Sequence, residues 1–154
     1  MSINPYQNID TASDYQVYEF DSMGKVTLRK RAKFELIDEQ DQLYNLALCT
    51  ILPDGSEDCS SASKNGDMNT VLETAAQIAL IYSDKFPERK IFLRGSDGLR
   101  SRKYQIGINA HLVSLSANFE VEGVMINDQN EIILLEKIQK GKNYQGFIFT
   151  RKLA

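Results

Sequence analysis

Charged and apolar residues alternate through the run KVTLRKRAKFELI, residues 25–37. Because successive side chains of a β-strand point to opposite faces, this alternation predicts a strand with one apolar face and one charged face. The apolar face is predicted to carry Val26, Leu28, Ala32, Phe34 and Leu36. Lys30 is the one charged residue on that face, whereas Arg29, Arg31 and Lys33, which we call the cationic stripe, lie on the other. A half-buried strand of this length needs paired neighbours, so the chain is constrained to form a sheet.

Three neighbouring runs are predicted to pair with this strand. They are YQVYEF at residues 15–20, LYNLALCTIL at 43–52 and the weakly patterned SEDCSSASKNGD at 56–67. LYNLALCTIL is apolar on both faces, which is typical of a central strand. The turns between the runs, DSMGK and PDGS, are short and contain glycine or proline. Short turns between consecutive strands favour an antiparallel arrangement.

Two later segments have apolar residues at helical spacing. The first helix is predicted at residues 68–86, with the Asp67 carboxylate accepting hydrogen bonds from its first amides and Pro87 ending it. The second is predicted from about Leu99 to Ala117. With a strand between them and three strands after them, the order is ββββ-α-β-α-βββ. The predicted fold class is α+β, a mostly antiparallel sheet with two amphipathic helices, with an N-terminal arm at 1–14 and a single domain at 15–154.

Bulk composition excludes several classes of protein. The chain has 154 residues, of which 42% are hydrophobic and 25% charged, as in ordinary globular domains. The longest apolar stretches are far shorter than the roughly 20 residues that span a bilayer, and the N-terminus lacks a secretory pattern. We therefore expect a cytoplasmic protein without a membrane partner. A net charge of −3 argues against a protein that coats nucleic acid by bulk attraction, although local basic patches can still act.

The two cysteines, Cys49 and Cys59, have no CxxC spacing. Two free thiols in a reducing compartment are the favoured interpretation, and a disulfide across a hairpin is the alternative. They cannot form a zinc site of known spacing with the single histidine, His111, so we expect no metal.

The stretch RGSDGLRSRKY, residues 94–104, crowds cations at the predicted start of the second helix. Lysine and arginine are disfavoured at a helix N-terminus, whereas anions are stabilised there. An anion bound among glycine amides and guanidinium groups would compensate for this placement. The predicted anion-binding residues are Arg94, Gly95, Ser96, Arg100, Arg102, Lys103 and Tyr104. Pairing of these cations with internal carboxylates is the alternative, since the chain has 21 acidic residues.

No catalytic residue is predicted. Ser96 lacks the glycine spacing of a hydrolase elbow and has no histidine near it in sequence, so Ser96 or Asp97 is better interpreted as a helix cap. His111 lies at the edge of the apolar stripe and is interpreted as structural. Neither a P-loop nor a GxGxxG fingerprint is present, and no cofactor is expected.

The cationic stripe, Arg29, Arg31 and Lys33, is the second candidate site. With exposed tyrosines such as Tyr15 or Tyr18 beside it, it could hold a single-stranded nucleic acid through phosphate contacts and base stacking. The alternative is a solvated face that discourages edge pairing.

Several segments together resemble a family of small, uncharacterised bacterial proteins. They are NPY at 4–6, YxF at 18–20, NLAL at 45–48, NGDMNTVLET at 65–74 and GSDGLRSRKY at 95–104. The resemblance implies no activity, cofactor or catalytic residue. Three hypotheses follow: a non-catalytic binding protein for a polyanion such as single-stranded nucleic acid, an enzyme acting on a small phosphorylated or carboxylated compound at the GSDG loop, or a homodimeric interaction module. The dimer surface is expected on the second helix or a terminal strand.

Overall fold

A computed structural model describes residues 5–60, 64–95 and 98–153 of the chain. Within these ranges it contains nine strands and three helices, and the predicted α+β class is confirmed. The strands are β1 Asp10–Thr11, β2 Val17–Met23, β3 Thr27–Asp38, β4 Leu43–Ile51, β5 Glu57–Asp58, β6 Lys90–Arg94, β7 Phe119–Ile126, β8 Ile132–Lys137 and β9 Gly146–Arg151. The helices are α1 Met68–Lys85, α2 Gly98–Ala110 and α3 Leu112–Ser116.

The strands form one sheet in the order β1-β2-β3-β4-β6-β9-β7-β8, with β5 paired to β4. Neighbouring strands are antiparallel except β4 and β6, which are parallel. The ladder between these two joins residues 43–45 to residues 90–92, and α1 lies in the connection between them. A helix in the connection is what a parallel pair requires.

The core lies mainly between the three helices and one face of the sheet, which we call the helix-covered face. Its aromatic residues include Phe34 and Tyr82, whose rings stack with centroids 3.7 Å apart. Phe20, fully buried on β2, stacks on Tyr6 of the predicted arm. Tyr6 also donates its backbone N–H to Thr74 Oγ1 at 2.9 Å, so this part of the arm packs on α1. None of the helices in the described ranges is long and apolar enough to cross a bilayer.

The second predicted helix is divided in two. It begins near the predicted residue, but α2 ends at Ala110 and α3 begins at Leu112. His111 separates them with φ −113° and ψ 17°, outside helical geometry. The prediction of a single helix from Leu99 to Ala117 is therefore wrong at this point. The spacing of apolar residues is almost unchanged by one non-helical residue, so the sequence pattern does not show the break.

Cys49 and Cys59 form a disulfide, so the expectation of free thiols is wrong. The reason lies in the PDGS turn, which folds β5 back on β4. Thr50 pairs with Asp58 and Ile51 with Glu57, so the next opposed positions are those of the two cysteines. Their Cα atoms lie 4.0 Å apart. The hairpin alternative weighed for these cysteines is the correct one.

Candidate functional site

A pocket of about 440 Å³ opens between β3, the residues that precede α1 and the first turns of α2. We call it the basic pocket, because six of its lining residues are lysine or arginine. They are Lys25, Lys30, Arg31, Lys64, Arg100 and Lys103. Asp67 is the one carboxylate among the described lining residues. A concave positive surface concentrates anions even on a chain whose net charge is −3.

Lys30 lies in the pocket because of the strand register. It is paired with Phe20 on β2 and with Thr50 on β4. Residues directly opposite each other on antiparallel strands share a face, so Lys30 lies on the helix-covered face. The residue is 9% exposed, and its Nζ donates a 2.7 Å hydrogen bond to Thr50 Oγ1.

The electrostatic surroundings of Lys30 disfavour its charged form. Burial lowers the pKa of the Lys30 ammonium, and Arg100 lowers it further, while Asp67 and Asp58 act in the opposite direction. Among the described residues, no carboxylate lies within ion-pair distance of the Lys30 nitrogen. A buried ammonium carries three donors and normally requires acceptors or a counter-ion. An anion in the pocket would meet that requirement.

Arg100 enters the pocket from the first turn of α2. Its Nε donates to Tyr104 Oη at 2.9 Å, four residues along the same helix. Its Nη1 donates to the Cys59 carbonyl at 2.9 Å and its Nη2 to the Leu48 carbonyl at 3.0 Å. These three acceptors are neutral, and they orient the guanidinium. Burial raises the pKa of Tyr104, so the phenol keeps its proton.

The N-terminus of α1 forms another wall of the pocket through Asp67, Met68 and Asn69. Asp67 was predicted to cap this helix with its carboxylate, and that prediction is wrong, since no side chain caps the first turn. The Asp67 carboxylate instead accepts hydrogen bonds at 2.5 Å from the hydroxyls of Tyr6 and Ser22. The positive end of the helix dipole is thus left without an acidic residue in its first turn.

The structure separates the residues of the predicted anion site. Arg100, Lys103 and Tyr104 line the basic pocket. Arg94 donates to Asn130 Oδ1 at 3.2 Å instead, and Arg102 is exposed. Gly95 is buried, with its N–H donated to Ser101 Oγ at 3.2 Å, and a Cβ on it would overlap the Ser101 backbone nitrogen. Ser96 and Asp97, for which a capping role was predicted, lie outside the described residues.

The cationic stripe is paired with carboxylates. Arg29 contacts Asp10, Glu19 and Asp21. Arg31 lies 2.7 Å from Glu19 and 2.9 Å from Glu57. Lys33 lies 3.0 Å from Glu57 and 3.7 Å from Glu35. The stripe is therefore locally neutralised. Its role in nucleic-acid binding stays a prediction, with less electrostatic support than the sequence alone suggests.

The structure also places two single residues discussed from the sequence, Tyr18 and His111. Tyr18 was expected to be exposed for base stacking, but it is fully buried in the core, so that expectation is wrong. His111 is 6% exposed and lies 3.4 Å from Asn69 Oδ1 and 3.9 Å from Glu73 Oε1 through its Nε2. It packs between helices, as a structural histidine does.

Sequence reasoning missed Lys25, Lys30 and Lys64 as pocket residues. For Lys30 a signal exists, since it is the one charged residue in an otherwise apolar strand face. Lys25 and Lys64 come together because Asn65 holds the β2–β3 turn: its carbonyl accepts the Lys25 N–H at 2.8 Å and its Oδ1 accepts the Val26 N–H at 2.9 Å. Nothing in the local pattern indicates this long-range contact.

Comparison with known proteins gives one match. A family described as a family of unknown function (DUF6934) matches residues 2–152. No curated protein and no solved structure matches the chain. The match confirms the resemblance to an uncharacterised family over nearly the whole chain and supplies no activity.

Proposed function

Because the chain belongs to DUF6934, a family of unknown function, we propose its role from the basic pocket alone: it is a non-catalytic binding protein for a small anion carrying a phosphate or carboxylate. The observation that carries this proposal is Lys30. It is a 9% exposed ammonium, lines the pocket, and has the Thr50 hydroxyl as its hydrogen-bond partner among the described residues. Such a group is stabilised by a bound negative charge.

The surroundings of Lys30 fit an anion of modest size. Arg100 lies beside it with an oriented guanidinium, and Lys25, Lys64 and Lys103 line the same pocket. The start of α1 adds the positive end of a helix dipole, which the Asp67 carboxylate at the same position partly offsets. The pocket volume of about 440 Å³ is within the usual range for small-molecule sites, about 300–1,000 Å³. Phe20, Leu48 and Val71 add apolar surface to the lining of the pocket.

The pocket supports a compact anion better than an extended nucleic acid. A single strand needs a continuous positive track for successive phosphates. The cationic stripe would be such a track, but each of its three side chains forms a salt bridge with a carboxylate. The polyanion hypothesis is therefore narrowed to one anionic group held at Lys30 and Arg100.

Titration calorimetry tests the proposal with pyrophosphate, citrate and a single-stranded oligonucleotide at low and high salt. We expect pyrophosphate or citrate to bind, and Lys30→Gln or Arg100→Gln to weaken binding about tenfold or more, the value of a charge-assisted hydrogen bond. Arg102→Gln is the matched control, since Arg102 lies on the same helix but is exposed. Absence of binding by every anion at low salt, or equal binding by all variants, would refute the proposal. Oligonucleotide binding that disappears when the stripe is substituted would restore the nucleic-acid hypothesis.

A second candidate function is self-association through β8. This strand lies at the edge of the sheet, and Ile132, Ile133 and Leu135 on it are 44%, 63% and 48% exposed. An apolar edge strand favours pairing with another strand. Sedimentation of Ile133→Lys against the unsubstituted protein tests it: a dimer that dissociates on substitution supports this role, and a monomer in both cases refutes it.

The cytoplasmic location predicted from the sequence stays a prediction. The Cys49–Cys59 disulfide argues for an oxidising compartment, because such bonds are rare in the cytosol of mesophiles. Alkylation of free thiols at the moment of cell lysis, followed by mass spectrometry, would distinguish the oxidised from the reduced protein.

A further inference from the structure

Lys30 differs chemically from the other cations of the basic pocket. Lys25 and Lys64 are exposed, Lys103 is half-buried, and the guanidinium groups of Arg31 and Arg100 are not nucleophiles. Lys30 is an amine that is buried, lines the pocket and is held in place by Thr50 Oγ1 at 2.7 Å. A lysine becomes a nucleophile when desolvation or an adjacent cation favours its neutral form. Both conditions hold here: burial and Arg100 lower the pKa of Lys30 against the opposing effects of Asp67 and Asp58.

We infer that the ligand of the basic pocket is an aldehyde or ketone that carries a phosphate or carboxylate, and that its carbonyl carbon forms a reversible imine with Lys30 Nζ. This inference rests on the proposed function, because the anionic group must first bind in the pocket. It adds a covalent bond and a ligand class to that function. A buried amine beside a guanidinium is the arrangement that distinguishes such a site from a simple anion site.

Imine formation between Lys30 and the carbonyl compound needs no other reactant. The Lys30 ammonium first releases a proton to solvent. The lone pair of the neutral Nζ then attacks the carbonyl carbon, the π pair moves to oxygen, and a proton passes from nitrogen to that oxygen to give a carbinolamine. Loss of the hydroxyl group and a second nitrogen proton as water then gives the imine. Addition of water reverses both steps, and no electron is gained or lost. Lysine imines with carbonyl compounds are an established form of covalent chemistry in proteins.

The neighbouring residues divide the remaining tasks. Arg100 is positioned by the Cys59 and Leu48 carbonyls and would hold the anionic group of the ligand next to Lys30. Tyr104 lines the same pocket as a protonated phenol, since burial raises its pKa, and can supply a proton to the departing hydroxyl. Thr50 accepts a hydrogen bond from Lys30 and fixes the direction of the amine.

Reductive trapping tests the inference. The full chain is incubated with glyoxylate or glyceraldehyde 3-phosphate, with uncharged glyceraldehyde as the matched control, in the presence of cyanoborohydride, and adducts are mapped by peptide mass spectrometry. We expect Lys30 to be the principal modified lysine with the anionic aldehydes, excess pyrophosphate to suppress labelling, and uncharged glyceraldehyde to label Lys30 several-fold less. Lys30→Arg retains a positive charge but has no nucleophilic amine, so it should lose the adduct.

The outcomes separate this inference from the proposed function. Adducts spread over exposed lysines such as Lys64 and Lys140, with no preference for Lys30, would overturn the imine while calorimetric pyrophosphate binding still supported the anion site. Absence of both labelling and pyrophosphate binding would overturn both. Since peptide mapping uses the unsubstituted protein, the result does not depend on the folding of a Lys30 variant.

Discussion

Arg100 Nη1 donates a 2.9 Å hydrogen bond to the carbonyl oxygen of Cys59, and Cys59 is disulfide-bonded to Cys49 on β4. The guanidinium lines the basic pocket, so the β4–β5 hairpin helps to position a cation of the candidate site. The state of the disulfide is therefore coupled to the geometry of the pocket.

Removal of the disulfide is expected to weaken both folding and anion binding. In the variant Cys49→Ser/Cys59→Ser, the free energy of unfolding should fall by about 2–3 kcal/mol, the value for a short closed loop. Pyrophosphate affinity should fall several-fold, because the Cys59 carbonyl no longer fixes Arg100. Urea unfolding and calorimetry measure the two effects. A reductant should affect the unsubstituted protein and leave the double variant unchanged; equal sensitivity of both would contradict the coupling.

Lys30→Met is expected to stabilise the fold while it abolishes anion binding. A methionine removes a buried charge without leaving a cavity, which should raise the unfolding free energy by about 1 kcal/mol and the melting temperature by about 2–4 °C. Because the folded-state pKa of Lys30 is lowered from 10.5, the unfolded state binds more protons between the two pKa values. The stability of the unsubstituted protein therefore rises with pH through that window.

The gain from Lys30→Met should accordingly be largest at neutral pH and shrink as pH approaches 10.5. Thermal unfolding at a series of pH values measures this. Lys140→Met, at an exposed lysine, is the control and should change little. If Lys30→Met were destabilised, Lys30 would have a structural role in the fold and not a role in ligand binding.

Gly95→Ala is expected to be costly, whereas Gly98→Ala is not. A Cβ on Gly95 would overlap the backbone nitrogen of Ser101 and displace the first turns of α2, which carry Arg100. Overpacking of this type costs about 1–3 kcal/mol. A Cβ on Gly98 meets nothing within 4 Å, so its effect should stay below about 1 kcal/mol. Urea unfolding and calorimetry compare the two variants, and equal behaviour would contradict the close approach.

Glu57→Gln is expected to destabilise the protein above pH 4.5 and to have no effect in strong acid. Lys33 and then Arg31 hold the pKa of Glu57 below its ordinary value of 4.5. A depressed carboxyl pKa stabilises the fold above the unfolded-state value, and that stabilisation is lost as pH falls through the folded-state value. The free energy of unfolding of the Glu57→Gln variant should be lower by about 0.5–1 kcal/mol at neutral pH.

Urea unfolding between neutral pH and pH 3 measures the effect, with Glu120→Gln, at an exposed position of β7, as the control. A difference between Glu57→Gln and the unsubstituted protein that persists at the lowest pH would show that ionisation of Glu57 is not its origin.

The sequence predicts the fold well where the spacing of apolar residues alone determines whether a segment is a strand or a helix. The helical spacing in α1 has the expected outcome. The alternation in β3 holds at its centre, where Ala32 and Phe34 are buried, but Leu36 near its end is 51% exposed. It fails at Asp67, because whether a carboxylate caps its own helix depends on competing hydroxyls from Tyr6 and Ser22, which are distant in sequence. It also fails for the cysteines, because the free-thiol interpretation rested on an expected reducing compartment and not on the strand register that opposes the two residues.

The candidate site could be predicted only in part. The excess of cations at the start of α2 leads to Arg100, Lys103 and Tyr104, which do line the pocket. The same charge density does not separate these from Arg94 and Arg102, whose positions depend on which side of the strand or helix faces β3. The stripe looks cationic in sequence because most of its carboxylate partners come from β1, β2 and β5.

The short parallel ladder between β4 and β6 divides the sheet into an N-terminal and a C-terminal half. Arg100 belongs to the second half and donates to Leu48 and Cys59 in the first, so a ligand held by both Lys30 and Arg100 bridges the halves. Occupancy of the pocket should therefore slow amide hydrogen exchange in β4 and β6 selectively, while the outer strands keep their rates. Ligand binding in this pocket would therefore stabilise the junction between the two halves of the sheet.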